Sequence, residues 1–260
     1  MRIPFYKYQG TGNDFVIIDQ FDQQYLQVSD QEIIHRLCDR KFGIGADGLI
    51  LLLPSKKQNF RMLYFNADGL EGSLCGNGSR CAVACMHLLG KYDDDGTFEA
   101  ADGVHEAIVR SPHWIDLKMS DLENVEQGKG FFILNTGSPH YVTFVEDLSD
   151  LDIVQSGRAI RYSSPFREDG INVNFVEEIN NGIEVNTYER GVEDETLSCG
   201  TGVTAAALAH AVKNQIASGP TNIKTKGGQL SVRFKHEGNR FTDIWLCGPA
   251  ELVFSGVIDI

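Results

Sequence analysis

Two of the six cysteines in this 260-residue chain, Cys75 and Cys199, each open a Cys-Gly-x-Gly segment that runs directly into a stretch rich in Ala, Leu and Val. The following residues, 78–89 and 202–212, are apolar nearly all round, so each thiol is expected at the first turn of a buried helix. The first amides of a helix have no partner within it, and they lie at the positive end of its dipole. Such a place holds a carboxylate and also favours a thiolate. The helix terminus contributes about 0.3–1 kcal/mol to a nearby anion, and burial in a closed site opposes it. Each thiol is therefore expected to gain and lose a proton readily near neutrality, which suits reversible acid–base work better than permanent nucleophilic work. Two such thiols on opposite sides of an α-carbon would invert it. One thiolate removes the proton, and the opposite thiol returns one on the other face. The amides beside each cysteine would hold the α-carboxylate and stabilise the charge that develops. No cofactor is called for: neither a pyridoxal-binding lysine nor a metal-ligand set stands out.

The elements that must carry these cysteines repeat. Residues 64–85 read YFNADGLEGSLCGNGSRCAVAC and residues 188–209 read YERGVEDETLSCGTGVTAAALA. Without gaps they share Tyr64/Tyr188, Glu71/Glu195, Cys75/Cys199, Gly76/Gly200, Gly78/Gly202 and Ala82/Ala206, each pair 124 apart (199 − 75 = 124). Thr11-Gly12 matches Thr136-Gly137 at nearly the same offset. The chain therefore reads as one α/β unit used twice, roughly 1–118 and 119–249. Residues 15–19, 49–53, 62–65, 141–145, 173–176, 183–188 and 230–234 have the composition of short strands. Residues 31–37 read as a helix capped by Ser29 or Asp30, and the polar run 121–130 reads as a linker.

Other function classes fit poorly. A net charge of −13 and scattered basic residues argue against nucleic acid and against an anionic membrane. The longest apolar run, residues 49–53, is too short to span a bilayer. No leader pattern opens the chain, so a cytoplasmic location is expected. In that compartment the cysteines read as thiols, and Cys38, Cys81, Cys85 and Cys247 as small buried residues. The run Gly43-Ile44-Gly45-Ala46-Asp47-Gly48 satisfies the dinucleotide fingerprint, but a strand follows it where a helix is required. No Cys-x-x-Cys pair suggests redox chemistry.

Over essentially its full length the chain resembles the diaminopimelate epimerases. The stretches that carry the resemblance are GTGNDFVIID (10–19), DRKFGIGADGL (39–49), FNADGLEGSLCGNGSRC (65–81), NTGSPH (135–140), INVNF (171–175) and YERGVEDETLSCGTG (188–202). The resemblance implies an isomerase that interconverts LL- and meso-2,6-diaminopimelate, a small-molecule substrate on the way to lysine and peptidoglycan precursors. It also implies an α/β (α+β) fold of two pseudo-symmetric domains, 1–118 and 119–250. Each would wrap a barrel-like, mostly antiparallel sheet around a central helix, with strand 251–260 returning to the first domain, the active site in the cleft between them, and a homodimer as the assembly. Carried over residue by residue, Cys75 and Cys199 are the acid–base pair, and Gly76, Asn77, Gly200 and Thr201 supply backbone amides. Asn13, Asn66, Asn172 and Arg190 contact the distal ammonium and carboxylate, while His140 and Glu189 position the substrate amine and tune the thiols. This chain departs from many relatives at Ser138, where they carry asparagine, and at Gly48, where they carry glutamine. A proline-racemase-like enzyme shares the two-cysteine logic, but Tyr-Glu-Arg-Gly at 188–191 and Asn-Ala-Asp-Gly at 66–69 supply polar groups for a second charged end that proline lacks. A PhzF-like isomerase would have the fold without both cysteines. A carboxylate-binding module without catalysis is the remaining alternative.

Overall fold

The computed structural model describes residues 1–72 and 74–260. Its backbone divides into two compact units, Met1–Leu117 with Gly248–Ile260, and Lys118–Cys247.

The first unit opens with a hairpin, β1 (Arg2–Gly10) and β2 (Asn13–Asp19), whose two turn residues Thr11 and Gly12 both have positive φ. Helix α1 (Gln31–Cys38) then crosses over to β3 (Gly48–Leu53), which lies parallel to β2. Its buried residues Ile34, Leu37 and Cys38 fall at helical spacing on one face. Strand β4 (Phe60–Asn66) pairs antiparallel with β3. Helix α2 (Gly76–Leu88) follows, then β5 (Asp95–Ala100), parallel to β4, and the antiparallel pair β6 (Gly103–Ser111) and β7 (Trp114–Lys118).

The second unit repeats the order. A two-residue strand β8 (Glu126–Gln127) adds to β9 (Phe131–Asn135), which forms a hairpin with β10 (Pro139–Val145). Helix α3 (Ile153–Arg161) leads to β11 (Asn172–Ile179), parallel to β10, and β12 (Gly182–Glu189) returns antiparallel. After the short β13 (Asp194–Thr196) come α4 (Gly200–Asn214), β14 (Thr221–Thr225) parallel to β12, and the antiparallel pair β15 (Gly228–Glu237) and β16 (Arg240–Pro249). Strand β17 (Glu251–Asp259) pairs antiparallel with β1.

Helices α2 and α4 occupy equivalent places. Strands β1, β2, β3, β4, β6 and β17 pack around α2, and β9, β10, β11, β12, β14 and β15 around α4. A helix so enclosed has no solvent face, which explains why Asn77 through Met86 and Gly202 through Ala209 are buried without a break. Burial extends to Arg80, whose guanidinium is satisfied by Asn77 Oδ1 at 2.9 Å and by the carbonyls of Gly76 and Pro249 at 3.4 Å. The mixed α/β class and the sheet wrapped about a central helix match the expected fold. Residues 121–130 differ from the linker reading. Leu122 exchanges both backbone hydrogen bonds with Phe241, and Glu126–Gln127 pairs with β9, so polar composition there marks an edge strand. Among the described residues no helix is long and apolar enough to cross a membrane.

Candidate active site

In the first unit Cys75 is the N-cap of α2, with extended backbone (φ −107°, ψ 114°) and its Sγ 3.5 Å from the Gly78 amide. Asn13, the first residue of β2, reaches it: its Oδ1 lies 3.5 Å from both Cys75 Sγ and Asn77 Nδ2. The other end of that carboxamide is 2.8 Å from Asp47 Oδ2. A carboxylate only accepts, so the NH₂ of Asn13 must face Asp47 and the carbonyl must turn to the thiol. Asp47 is itself held by Arg40 at 2.7 Å, and Arg40 grips Asp14 with both Nη atoms at 3.0 and 2.8 Å. Lys7 completes the network, 2.6 Å from Asp14 and donating to the Gly45 carbonyl. Burial raises the Asp14 carboxyl, but Arg40 and Lys7 outweigh it and hold the group well below the usual carboxylate range. Asn66, at the end of β4, accepts from Tyr64 Oη at 3.0 Å. The Tyr64 ring fills a slot between two glycine backbones. A Cβ on Gly48 or Gly72 would come within 2.6 or 2.7 Å of the ring. The missing side chain at position 48 is thus a packing requirement of this chain, and glutamine would not fit there.

In the second unit Cys199 caps α4 with nearly the same backbone (φ −110°, ψ 115°) and is buried. Its Sγ lies 3.5 Å from Thr201 Oγ1, which is 2.9 Å from Nε2 of the fully buried His140 at the start of β10. Burial, and after it the charge of Arg190, pushes the His140 pKa down to about 3, so the ring is neutral at physiological pH. Asn172, at the start of β11, donates to Ser138 Oγ at 3.0 Å and to the Pro139 carbonyl at 3.1 Å, and its Oδ1 accepts from the Arg190 amide at 2.9 Å. Arg190 follows β12, with Nη1 2.9 Å from the Asp169 carbonyl and Nη2 3.4 Å from Ser138 Oγ. Ser138 is therefore a shared acceptor that gathers Asn172 and Arg190. Burial raises the neighbouring Glu189 carboxyl, with the Thr196 hydroxyl drawing it partly back.

The paired turns brace both helix starts. Thr11 Oγ1 is 3.5 Å from Asn77 Oδ1, and Thr136 Oγ1 donates to the Thr201 carbonyl at 2.8 Å. Within each unit the expected residues largely converge: Asn13, Cys75, Gly76 and Asn77 in one, and His140, Cys199, Gly200 and Thr201 in the other, where Asn172 and Arg190 form a second cluster around Ser138. Asn66 is engaged by Tyr64. The sequence reading missed the Thr201 hydroxyl, Asp47, and Asn174. Asn172 and Asn174 are two apart on β11 and so share a face, which is the signal that could have flagged the second. The remaining cysteines are buried as expected, and burial pushes the Cys38 thiol up to about 12 and those of Cys81 and Cys85 higher still.

The fold recurs in solved structures of low sequence identity. A PhzF-family phenazine biosynthesis protein from Bacillus anthracis superposes with a TM-score of 0.75 at 14% identity, covering 100% of both chains. A hydroxyproline epimerase from Agrobacterium vitis gives 0.68 at 15% identity, covering 99% of this chain and 92% of that one. Sequence relatives are much closer. A diaminopimelate epimerase from Flavobacterium psychrophilum is 46% identical over 254 residues, covering 97% of this chain and 99% of that protein. One from Chlorobaculum tepidum is 41% identical over 260 residues, covering 96% and 99%. The family model for diaminopimelate epimerase matches residues 5–121 and 132–253, one stretch for each copy of the repeat. With matches of that extent and identity, the chain belongs to the diaminopimelate epimerase family.

Proposed function

We propose that this chain interconverts LL- and meso-2,6-diaminopimelate by moving a proton at the α-carbon between Cys75 and Cys199. The observation that carries the reading is that a cysteine with extended backbone caps the buried helix of each unit, φ −107° and ψ 114° in one, φ −110° and ψ 115° in the other. One thiolate takes the α-proton and the opposite thiol supplies its own to the other face. The amides of Gly76, Asn77, Gly200 and Thr201 hold the α-carboxylate, whose neighbouring carbon becomes carbanionic in the transition state. Asn13, Asn66, Asn172 and Arg190 receive the distal ammonium and carboxylate, with carbonyl oxygens for the former and a guanidinium for the latter. His140 and Glu189 assist at the reacting centre, and no cofactor takes part. The reaction supplies lysine and peptidoglycan precursors in the cytoplasm.

Incubation with LL-diaminopimelate in D₂O is expected to yield meso product carrying deuterium at the inverted α-carbon. Binding without label or inversion would leave a carboxylate-binding module and overturn the reading.

We also propose a homodimer built on β17. Leu252, Val253, Phe254 and Val257 on this strand are 39, 55, 46 and 53% exposed, an apolar run that a solitary chain would leave in water. Phe254→Lys is expected to convert a dimer to a monomer in light scattering coupled to size exclusion. A dimer of unchanged stability in that variant would place the interface elsewhere.

A further inference from the structure

His140 is fully buried with both ring nitrogens engaged, and the direction of every hydrogen bond around it can be worked out. Its Nδ1 lies 3.1 Å from Asn174 Nδ2. Asn174 is also fully buried, and the orientation of its carboxamide is fixed from two sides. Its Nδ2 is 3.1 Å from the Tyr141 carbonyl, which can only accept, and its Oδ1 receives the Thr187 hydroxyl at 3.0 Å. Turning the amide over would set two carbonyl oxygens against each other. Gly202 leaves room for this oxygen, since a Cβ there would stand 2.5 Å from it. One hydrogen of Nδ2 thus goes to Tyr141 and the other to His140 Nδ1, which must accept.

A neutral imidazole that accepts at Nδ1 carries its proton on Nε2. That proton is donated to Thr201 Oγ1 at 2.9 Å. The Thr201 oxygen, now an acceptor, has its own hydrogen left for Cys199 Sγ at 3.5 Å. We propose that Asn174 is a positioning residue that fixes the Nε2–H form of His140 and thereby aims the Thr201 hydroxyl proton at the Cys199 sulfur, favouring its thiolate. The consequence for catalysis rests on the reading of Cys199 as a proton-transfer group; the geometry and its test do not. A carboxylate in place of the amide would demand a proton on Nδ1, leaving Nε2 to accept from the hydroxyl and turning the Thr201 proton away from sulfur.

The test uses the full chain and two readouts that need no turnover. Ring ¹⁵N shifts of His140 in the unsubstituted protein are expected to report Nε2–H from pH 6 to 9; a proton on Nδ1 overturns the proposal before any variant is made. Peptide-resolved iodoacetamide labelling at pH 8.5 is expected to show Cys199 reacting about tenfold more slowly in Asn174→Asp, the loss of one hydrogen bond to a charged group. Thr201→Val should slow labelling to the same extent, and Asn174→Asp should add nothing in that background. A folded Asn174→Asp whose Cys199 is labelled at the original rate, or additive losses in the double variant, refutes the coupling. If Asn174→Asp does not fold, the ¹⁵N shifts and Thr201→Val still decide. An unsubstituted chain that does not epimerise diaminopimelate, with both readouts as expected, would count against the proposed function alone.

Discussion

Cys75→Ala and Cys199→Ala are each expected to lower the rate of stereoinversion by at least about 10³, near the upper range for removing a positioned acid or base. The stronger expectation concerns what survives. A single remaining thiol faces one side of the α-carbon, so it can remove and return a proton only from the stereoisomer that presents its hydrogen to that side. One variant should therefore wash α-deuterium out of the L centre without inverting it, and the other should do so only at the D centre. Measuring label loss from each isomer separately, by mass spectrometry, tests this. If both variants exchange the same isomer, or if either retains full inversion, two-thiol transfer is wrong. The surroundings of the two thiols differ: Cys199 Sγ lies 3.5 Å from the Thr201 hydroxyl, whereas Cys75 Sγ lies 3.5 Å from Asn13 Oδ1 and accepts from the Gly78 amide at the same distance.

The paired helices were legible because their signals are local. Residues 78–89 and 202–212 are apolar nearly all round, and the helices begin only two residues earlier, at Gly76 and Gly200, directly after their cysteine caps. Strand β3 was equally plain, since burial on both faces demands an unbroken apolar run. Strand β1 was not, because it carries Pro4, Lys7 and Gln9, and the buried Lys7 is held by Asp14 and the Gly45 carbonyl, both distant in the chain. Strand β6 exposes Val104 and Arg110 and is absent from the expected strands for want of a second buried face. The site shows the same division. The thiols stand out through a repeated local motif, whereas Asp47 and Asn174 act through partners that are 34 residues away, on Asn13 and His140 respectively. Nothing near Asp47 in the chain distinguishes it from an ordinary turn residue, and Asn174 is marked only by sharing a face of β11 with Asn172.

Arg190→Met is expected to reduce kcat/KM for diaminopimelate by about 10²–10⁴, the loss of two charge-assisted hydrogen bonds of ~1.5–3 kcal/mol each. Arg190 is suited to a distal carboxylate. Its stem rests against Gly170, where a Cβ would come within 2.7 Å of Arg190 Cδ, and its guanidinium has neutral acceptors in Asp169 and Ser138. A planar fork already held by neutral acceptors can take an anion without first breaking an ion pair, and Arg190→Lys should recover little, because an ammonium cannot grip both oxygens. The same side chain has a second influence, because its charge contributes to the low pKa of His140. Lysine as a probe separates the two roles, since it is diaminopimelate without the distal carboxylate. If Arg190 acts by binding that group, α-deuterium exchange into lysine should be slow in the unsubstituted chain and no slower in Arg190→Met. An equal loss with both compounds would instead assign its effect to His140 and the reacting centre, and the distal carboxylate would need another partner.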